Sequence, residues 1–271
     1  MKTRKGYKVY PLTAAQKLHF YYQQYCPKKQ VLNIGSYLAI QVELDFGLLK
    51  ESVYEAYARC DSMRLRFAKD KDGTTYQYVV KKEERDIEFF DFTGWKPEDA
   101  KHQMDLWTEI PFEKYDSPQN RVVMIKLPDG FQGLYIVVDH MTMDVQALIP
   151  FFKDIIEIYS YKKYTDAGLS YPKEMASYIK QLQKDLDYEA GTPAKDRDTK
   201  FFEQLISSSE PIFTDINEPE RLQQEREKEN DPNLRAVTIV SDNVDSNLST
   251  FHLESEPSAR LMQFCEDHQI S

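Results

Sequence analysis

Gly133-Leu134-Tyr135-Ile136-Val137-Val138-Asp139-His140-Met141-Thr142-Met143-Asp144 decides how the rest of this chain is read. The first six residues are almost wholly apolar, so they predict a central strand covered on both faces. That strand runs straight into Asp139 and His140. Upstream lies Pro128-Asp129-Gly130, in which proline presets φ and Asp-Gly tolerates the left-handed region. Strands at 121–127 and 131–138 are therefore expected to pair across a turn. Downstream, Leu148, Phe151, Phe152, Ile155, Ile156 and Tyr159 share one helical stripe. Pro150 fits that helix only in its first turn.

The same patterning continues outward. Thr13-Ala14-Ala15-Gln16 fits a capping box. Behind it, Leu18, Tyr21, Tyr22 and Tyr25 predict a buried helical stripe that ends before Pro27. Leu38, Ile40, Val42 and Leu44 alternate as in a half-buried strand, and Leu49, Val53, Ala56, Tyr57 and Cys60 return to helical spacing. Further strands are expected at 75–80 and 87–90. Met175, Tyr178, Ile179, Leu182 and Leu186 suggest another helix, as do Phe201, Phe202 and Leu205. From Asn217 to Asn233 large apolar residues almost vanish, which predicts an exposed connector, with a solvated helix as the rival reading. Extended pieces at 236–240 and 250–253 and a helix near Pro257, with Leu261, Met262 and Cys265 inward, complete the expected elements.

Composition narrows the function. The 271 residues suffice for one large domain or two lobes. Eighteen Tyr and 15 Phe supply a core and exclude global disorder, while nine Gly argue against glycine-fingerprint nucleotide folds. A net charge of −10 gives no footprint for nucleic acid and repels anionic membrane. Cys26, Cys60 and Cys265 are too scattered for a disulfide framework or zinc knuckle. The basic N-terminus lacks an apolar stretch behind it, so no signal peptide is read. A cytoplasmic α/β protein is expected.

Only the segment from Asp139 to Asp144 looks chemical. Histidine titrates near neutrality and serves as a general base, and strand ends are where α/β folds place working groups. The rival reading is a satisfied structural histidine. Asp139, His140 and Asp144 could in principle bind a metal, but His19, His102, His252 and His268 are scattered and add nothing to such a site. Neither a G-x-S-x-G elbow nor a G-x-x-x-x-G-K loop is present.

Four segments together resemble the condensation domains of non-ribosomal peptide synthetases, relatives of chloramphenicol acetyltransferase. Tyr10-Pro11-Leu12-Thr13-Ala14-Ala15-Gln16-Lys17, followed by Asn33-Ile34, looks like the family's opening motif. Arg59-Cys60-Asp61-Ser62-Met63-Arg64-Leu65-Arg66-Phe67 looks like the second. Pro111-Phe112-Glu113 and the residues from Arg121 on resemble the lead-in to the signature H-H-x-x-x-D-G, which Asp139 to Asp144 resembles.

The resemblance implies a two-lobed α/β fold, a mixed sheet flanked by helices, with the second lobe truncated. Residues 1–175 would be the N-terminal lobe, 176–245 helices and the charged connector, and 246–271 the start of the C-terminal lobe. It further implies an active site in a tunnel between lobes, reached by phosphopantetheine arms of carrier-protein partners within neighbouring synthetase modules; no cofactor is bound directly. His140 would be catalytic, orienting or deprotonating the attacking amine. Asp144 would be structural, buried and paired with Arg64. Asp139 stands where the family has a first histidine, at a position turned from the reacting centre, and Val145 where it has a glycine that permits unusual backbone angles and close approach. Three functions remain open: an amide-forming acyltransferase, a non-catalytic lobe that docks carriers or neighbouring domains, and an acyltransferase using soluble acyl thioesters.

Overall fold

The computed structural model describes residues 3–82, 85–208, 219–232, 234 and 251–270. Chain order begins with short strands β1 (Thr3–Arg4), β2 (Tyr7–Lys8) and β3 (Tyr10–Pro11), then helix α1 (Ala14–Tyr25), β4 (Asn33–Ile40) and α2 (Phe46–Arg59). Next come β5 (Leu65–Lys69), β6 (Thr75–Val79), β7 (Glu88–Asp91), α3 (Pro97–Glu109), β8 (Asn120–Lys126), β9 (Gln132–Asp139) and α4 (Val145–Lys163). Helices α5 (Tyr178–Ala190), α6 (Pro193–Ser207), α7 (Pro219–Glu229) and α8 (Ser255–His268) complete the described elements.

The expected central strand is β9, which is buried at all eight positions. The main sheet runs β4-β9-β8-β7, with β9 antiparallel to both neighbours and β7 parallel to β8. Alternation sends Leu134, Ile136 and Val138 toward α2 and α4, where Val53, Tyr57, Leu148, Phe151 and Ile155 meet them. Tyr135 and Val137 point the other way, against Ala100 and Met104 of α3 and Phe92. The β8–β9 turn holds Gly130 at φ +86°. Gly133 is required for a different reason: a Cβ there would collide with the backbone carbonyl of Leu38 on β4. A smaller sheet, β3-β6-β5, lies beside the main one and contributes Leu65 and Phe67 to a cluster with Leu12 and Met141.

Several expectations are corrected. Capping works as read, because Thr13 and Gln16 bond reciprocally, but the face α1 buries is not the tyrosine stripe. Leu18 and Tyr25 are 70% and 71% exposed and Tyr21 is also exposed, while Gln16 and Gln23 are buried. Hydrogen bonds to neighbouring elements, rather than hydrophobicity, decide which way this helix faces. Pro150 lies inside α4 rather than in its first turn, removing the N–H that would have met Gln146. The described part of the charged stretch forms α7, so the solvated-helix reading replaces the connector there. Residues 236–240 and Thr250 fall outside the described residues, and Phe251–Leu253 form no strand. In α8, Leu261 and Met262 are exposed rather than inward.

The expected Arg64–Asp144 pair does not form. Arg64 donates to the carbonyls of Tyr57 (2.8 Å) and Val80 (2.6 Å) and to Asp61 (2.9 Å). Asp144 is exposed and caps α4, its carboxylate accepting from the Ala147 N–H at 2.7 Å. A cap must sit at the helix end, where water reaches it, so no buried cation is needed. A buried carboxylate does find an arginine elsewhere: Arg59–Asp154 is a two-pronged contact at 2.8 and 3.0 Å between α2 and α4, with Asp154 buried. Arg59→Ala strands the Asp154 carboxylate and is expected to cost about 3–5 kcal/mol. Asp144→Ala removes only a cap, about 1 kcal/mol. Urea melts of the two variants check the order; equal losses contradict it.

Candidate active site

His140 follows β9 directly, and its backbone N–H donates to Leu32 O at 3.0 Å. Its ring is half-buried, and among the described residues neither ring nitrogen has a hydrogen-bond partner. The ring instead stacks on His19 of α1, with centroids 4.5 Å apart and planes 22° from parallel. Burial, and then the neighbouring His140 ring, hold His19 below the ordinary imidazole range.

Asp139, the last residue of β9, is 2% exposed. Its carboxylate accepts from Gln23 Nε2 at 2.9 Å, from the Met141 N–H at 2.8 Å and from Lys114 Nζ at 3.3 Å. Its carbonyl accepts from both the N–H and the hydroxyl of Thr142. Lys114 also donates to Gln23 Oε1 (2.5 Å) and lies over the Phe67 ring. Burial lowers the Lys114 ammonium below its usual range, and Asp139 partly offsets this. The buried carboxylate and the half-buried ammonium thus pair under the loop, their remaining hydrogen-bonding capacity taken up by neighbours.

A second polar network holds the other side of the loop. Gln16 Nε2 donates to Met141 O (3.0 Å), Gln77 Oε1 (2.9 Å) and Tyr178 Oη (3.0 Å). Gln77 Nε2 returns a bond to Gln16 Oε1 (2.7 Å), and the Tyr178 hydroxyl donates to Gln77 Oε1 (2.6 Å). One glutamine thereby completes the α1 cap and ties α1 to β6, α5 and the loop after His140. Burial pushes the Tyr178 hydroxyl up to about 12.

Of the residues singled out from sequence, Asp139 and His140 are adjacent but keep different partners, Asp144 stands at the α4 terminus, and Arg64 bonds none of them. Val145 opens α4 in an ordinary helical conformation with its side chain exposed, so the backbone needs no glycine there. Sequence reasoning missed His19, Gln23 and Lys114. A signal for the first two was present: Gln16, His19, Phe20 and Gln23 recur at i, i+3, i+4 and i+7. Among the described residues no group of three His, Cys, Asp or Glu side chains is placed to hold a metal ion. No described helix is long and apolar enough to cross a membrane. A groove of about 880 Å³ runs along α4 past Met143, Pro150, Asp154 and Tyr171, but His140 does not line it.

Two outcomes test this geometry. Asp139→Asn leaves the half-buried Lys114 ammonium without its counter-ion and is expected to destabilise by about 1–3 kcal/mol; a melting temperature that stays put refutes the pair. Tyr178 is protonated in the folded and unfolded chain below its ordinary pKa of about 10. Between there and about 12 the folded state keeps a proton that the unfolded chain gives up, so stability falls as pH rises. Tyr178→Phe, measured by urea midpoint from pH 8 to 11, should show a shallower fall than the parent; identical slopes count against it.

A family model described as "Condensation domain" matches residues 7–270. Surfactin synthase subunit 1 of Bacillus subtilis (strain 168) is 25% identical over 208 residues, covering 73% of this chain and 6% of that protein. The PKS-NRPS hybrid synthetase psoA of Aspergillus fumigatus is 22% identical over 190 residues, covering 68% and 5%. Among solved structures, the first condensation domain of the calcium-dependent antibiotic synthetase superposes with a TM-score of 0.66 at 20% identity, covering 76% of this chain and 50% of that one. The starter condensation domain of rhizomide synthetase RzmA gives 0.65 at 19%, with the same coverage. This chain therefore spans about half the length of those condensation-domain structures and a small fraction of the curated synthetases. With the mixed sheet, the capped opening helix and the His140 loop in place, the chain belongs to the condensation-domain family of non-ribosomal peptide synthetase type.

Proposed function

We propose that this chain is the N-terminal part of a condensation domain that forms amide bonds between carrier-bound acyl or peptidyl and aminoacyl thioesters. Residues 1–175 supply its first lobe, 176–245 the helices and charged segment that follow, and 246–271 the opening of the second lobe. The carrying observation is the ring of His140. It is half-exposed at the end of the central strand, with both nitrogens free of hydrogen-bond partners among the described residues and so open to a substrate.

In this reading the amine nitrogen of the acceptor attacks the carbonyl carbon of the donor thioester. The C–N bond forms, the C–S bond breaks, and the proton lost from nitrogen passes to His140 and on to the departing thiolate. His140 contributes by orienting the amine and accepting that proton. Asp139 takes no part, because Lys114, Gln23 and the Met141 N–H already engage its carboxylate. Asp144 acts through the α4 cap that ends the loop. The donor and acceptor arrive on the phosphopantetheine arms of carrier domains in neighbouring modules, in the cytoplasm.

A docking role without catalysis is the second reading, motivated by the exposed Val145 side chain where the family's glycine allows a pantetheine arm to approach. His140→Ala separates the two. In the native protein that carries this chain it should lower amide formation by about 10²–10⁴-fold while leaving the melting temperature unchanged. Unaltered turnover sinks the catalytic role, and carrier binding with no product from the parent protein supports docking.

A further inference from the structure

His19 lies on α1, 121 positions before His140, yet the two imidazoles stack at 4.5 Å and 22°. A general base needs something to hold its ring. In most such sites that is a carboxylate or carbonyl hydrogen-bonded to the far nitrogen. Here the neighbouring carboxylate is committed elsewhere, since Asp139 is buried and bonded to Lys114 and Gln23. Among the described residues no other group bonds either His140 nitrogen. Among the described residues the ring contact on His140 is the flat face of His19.

His19 is itself fixed. Its helix is anchored one turn earlier by Gln16, which donates to Met141 O, and one turn later by Gln23, which donates to Asp139. Both anchors grip the residues that flank His140, so the helix face carrying His19 and the loop carrying His140 are held in register. The charged groups around His19 are Asp139, which favours its protonation, and Lys114, which opposes it; burial outweighs both. At neutral pH His19 thus offers an uncharged face that does not repel a proton arriving on its neighbour.

We propose that His19 is a positioning residue for His140: by stacking, it sets the orientation in which that ring meets the substrate amine. This rests on the reading of His140 as the base. Stacking needs a planar face rather than a nitrogen, so phenylalanine should serve in its place and alanine should not.

The test has two arms. In the 271-residue chain, proton NMR of His140, assigned by comparison with His140→Ala, should show a ring-current shift that disappears in His19→Ala and persists in His19→Phe. A shift unchanged in His19→Ala overturns the proposal. In the native protein carrying this chain, His19→Ala should lower kcat by about 10–100-fold with KM for both thioesters unchanged, and His19→Phe should restore most of the loss. If the stacking shift is lost in His19→Ala but kcat stays at the parent value, the positioning role is wrong and the base reading stands. If His140→Ala also turns over normally, the base reading fails and this proposal with it. Should His19→Ala not fold, His19→Phe decides alone: near-parent kcat supports the stacking role, and a loss of tenfold or so overturns it, because the face is retained.

Discussion

A strand with no wet face must still end somewhere, and that constraint organises this molecule. Every residue of β9 is buried, so the chain leaves the core only at its last position, where Asp139 carries a charge into a site almost closed to water. An unpaired carboxylate there would be too costly to keep. Lys114, Gln23 and the Met141 N–H satisfy it, and in doing so they draw α1 and the segment before β8 onto the end of the strand. The next residue, His140, lies in the turn beyond the strand, its ring half-exposed against His19.

Rigidity at this point comes from polar contacts laid over a hydrophobic frame. The frame is the pairing of β9 with β4 and β8, packed on α2 and α4 on one side and α3 on the other. Gly133 permits β4 to approach closely, and the Arg59–Asp154 pair joins α2 to α4 behind the sheet. Above it, Gln16 and Gln77 exchange bonds with each other and with Tyr178. Apolar packing alone would tolerate small sliding of α1; a helix whose buried face is glutamine and histidine is held to one register, because each misplacement leaves a polar atom unsatisfied.

These contacts also divide the labour between neighbouring residues in the signature segment. Asp139 is architectural through burial, Asp144 through capping, and His140 is left with unengaged nitrogens. The histidine of α1 stands against it as a neutral surface. A single loop thus holds one carboxylate fixed in the core, one at a helix terminus and one half-exposed imidazole between them.

Local and periodic features were legible in the residues themselves. The apolar run 133–138, the Pro-Asp-Gly turn, the Thr13–Gln16 capping box and the α2 and α4 stripes depend on neighbours a few positions apart, and sequence by itself determined them. It also singled out Asp139 to Asp144 as the polar segment that ends the apolar strand. Partners across the fold were another matter. Whether Arg64 met Asp144 or Asp61, which face α1 buried, and whether Pro150 interrupted a helix were settled by long-range contacts whose sequence separations leave no periodic trace. Leu18, Tyr21 and Tyr25 carried the stronger apolar pattern, yet Gln16, His19 and Gln23 turned inward. The reason is physical: the Asp139 carboxylate and the Met141 carbonyl needed donors, and only the tertiary structure could show that those donors came from α1.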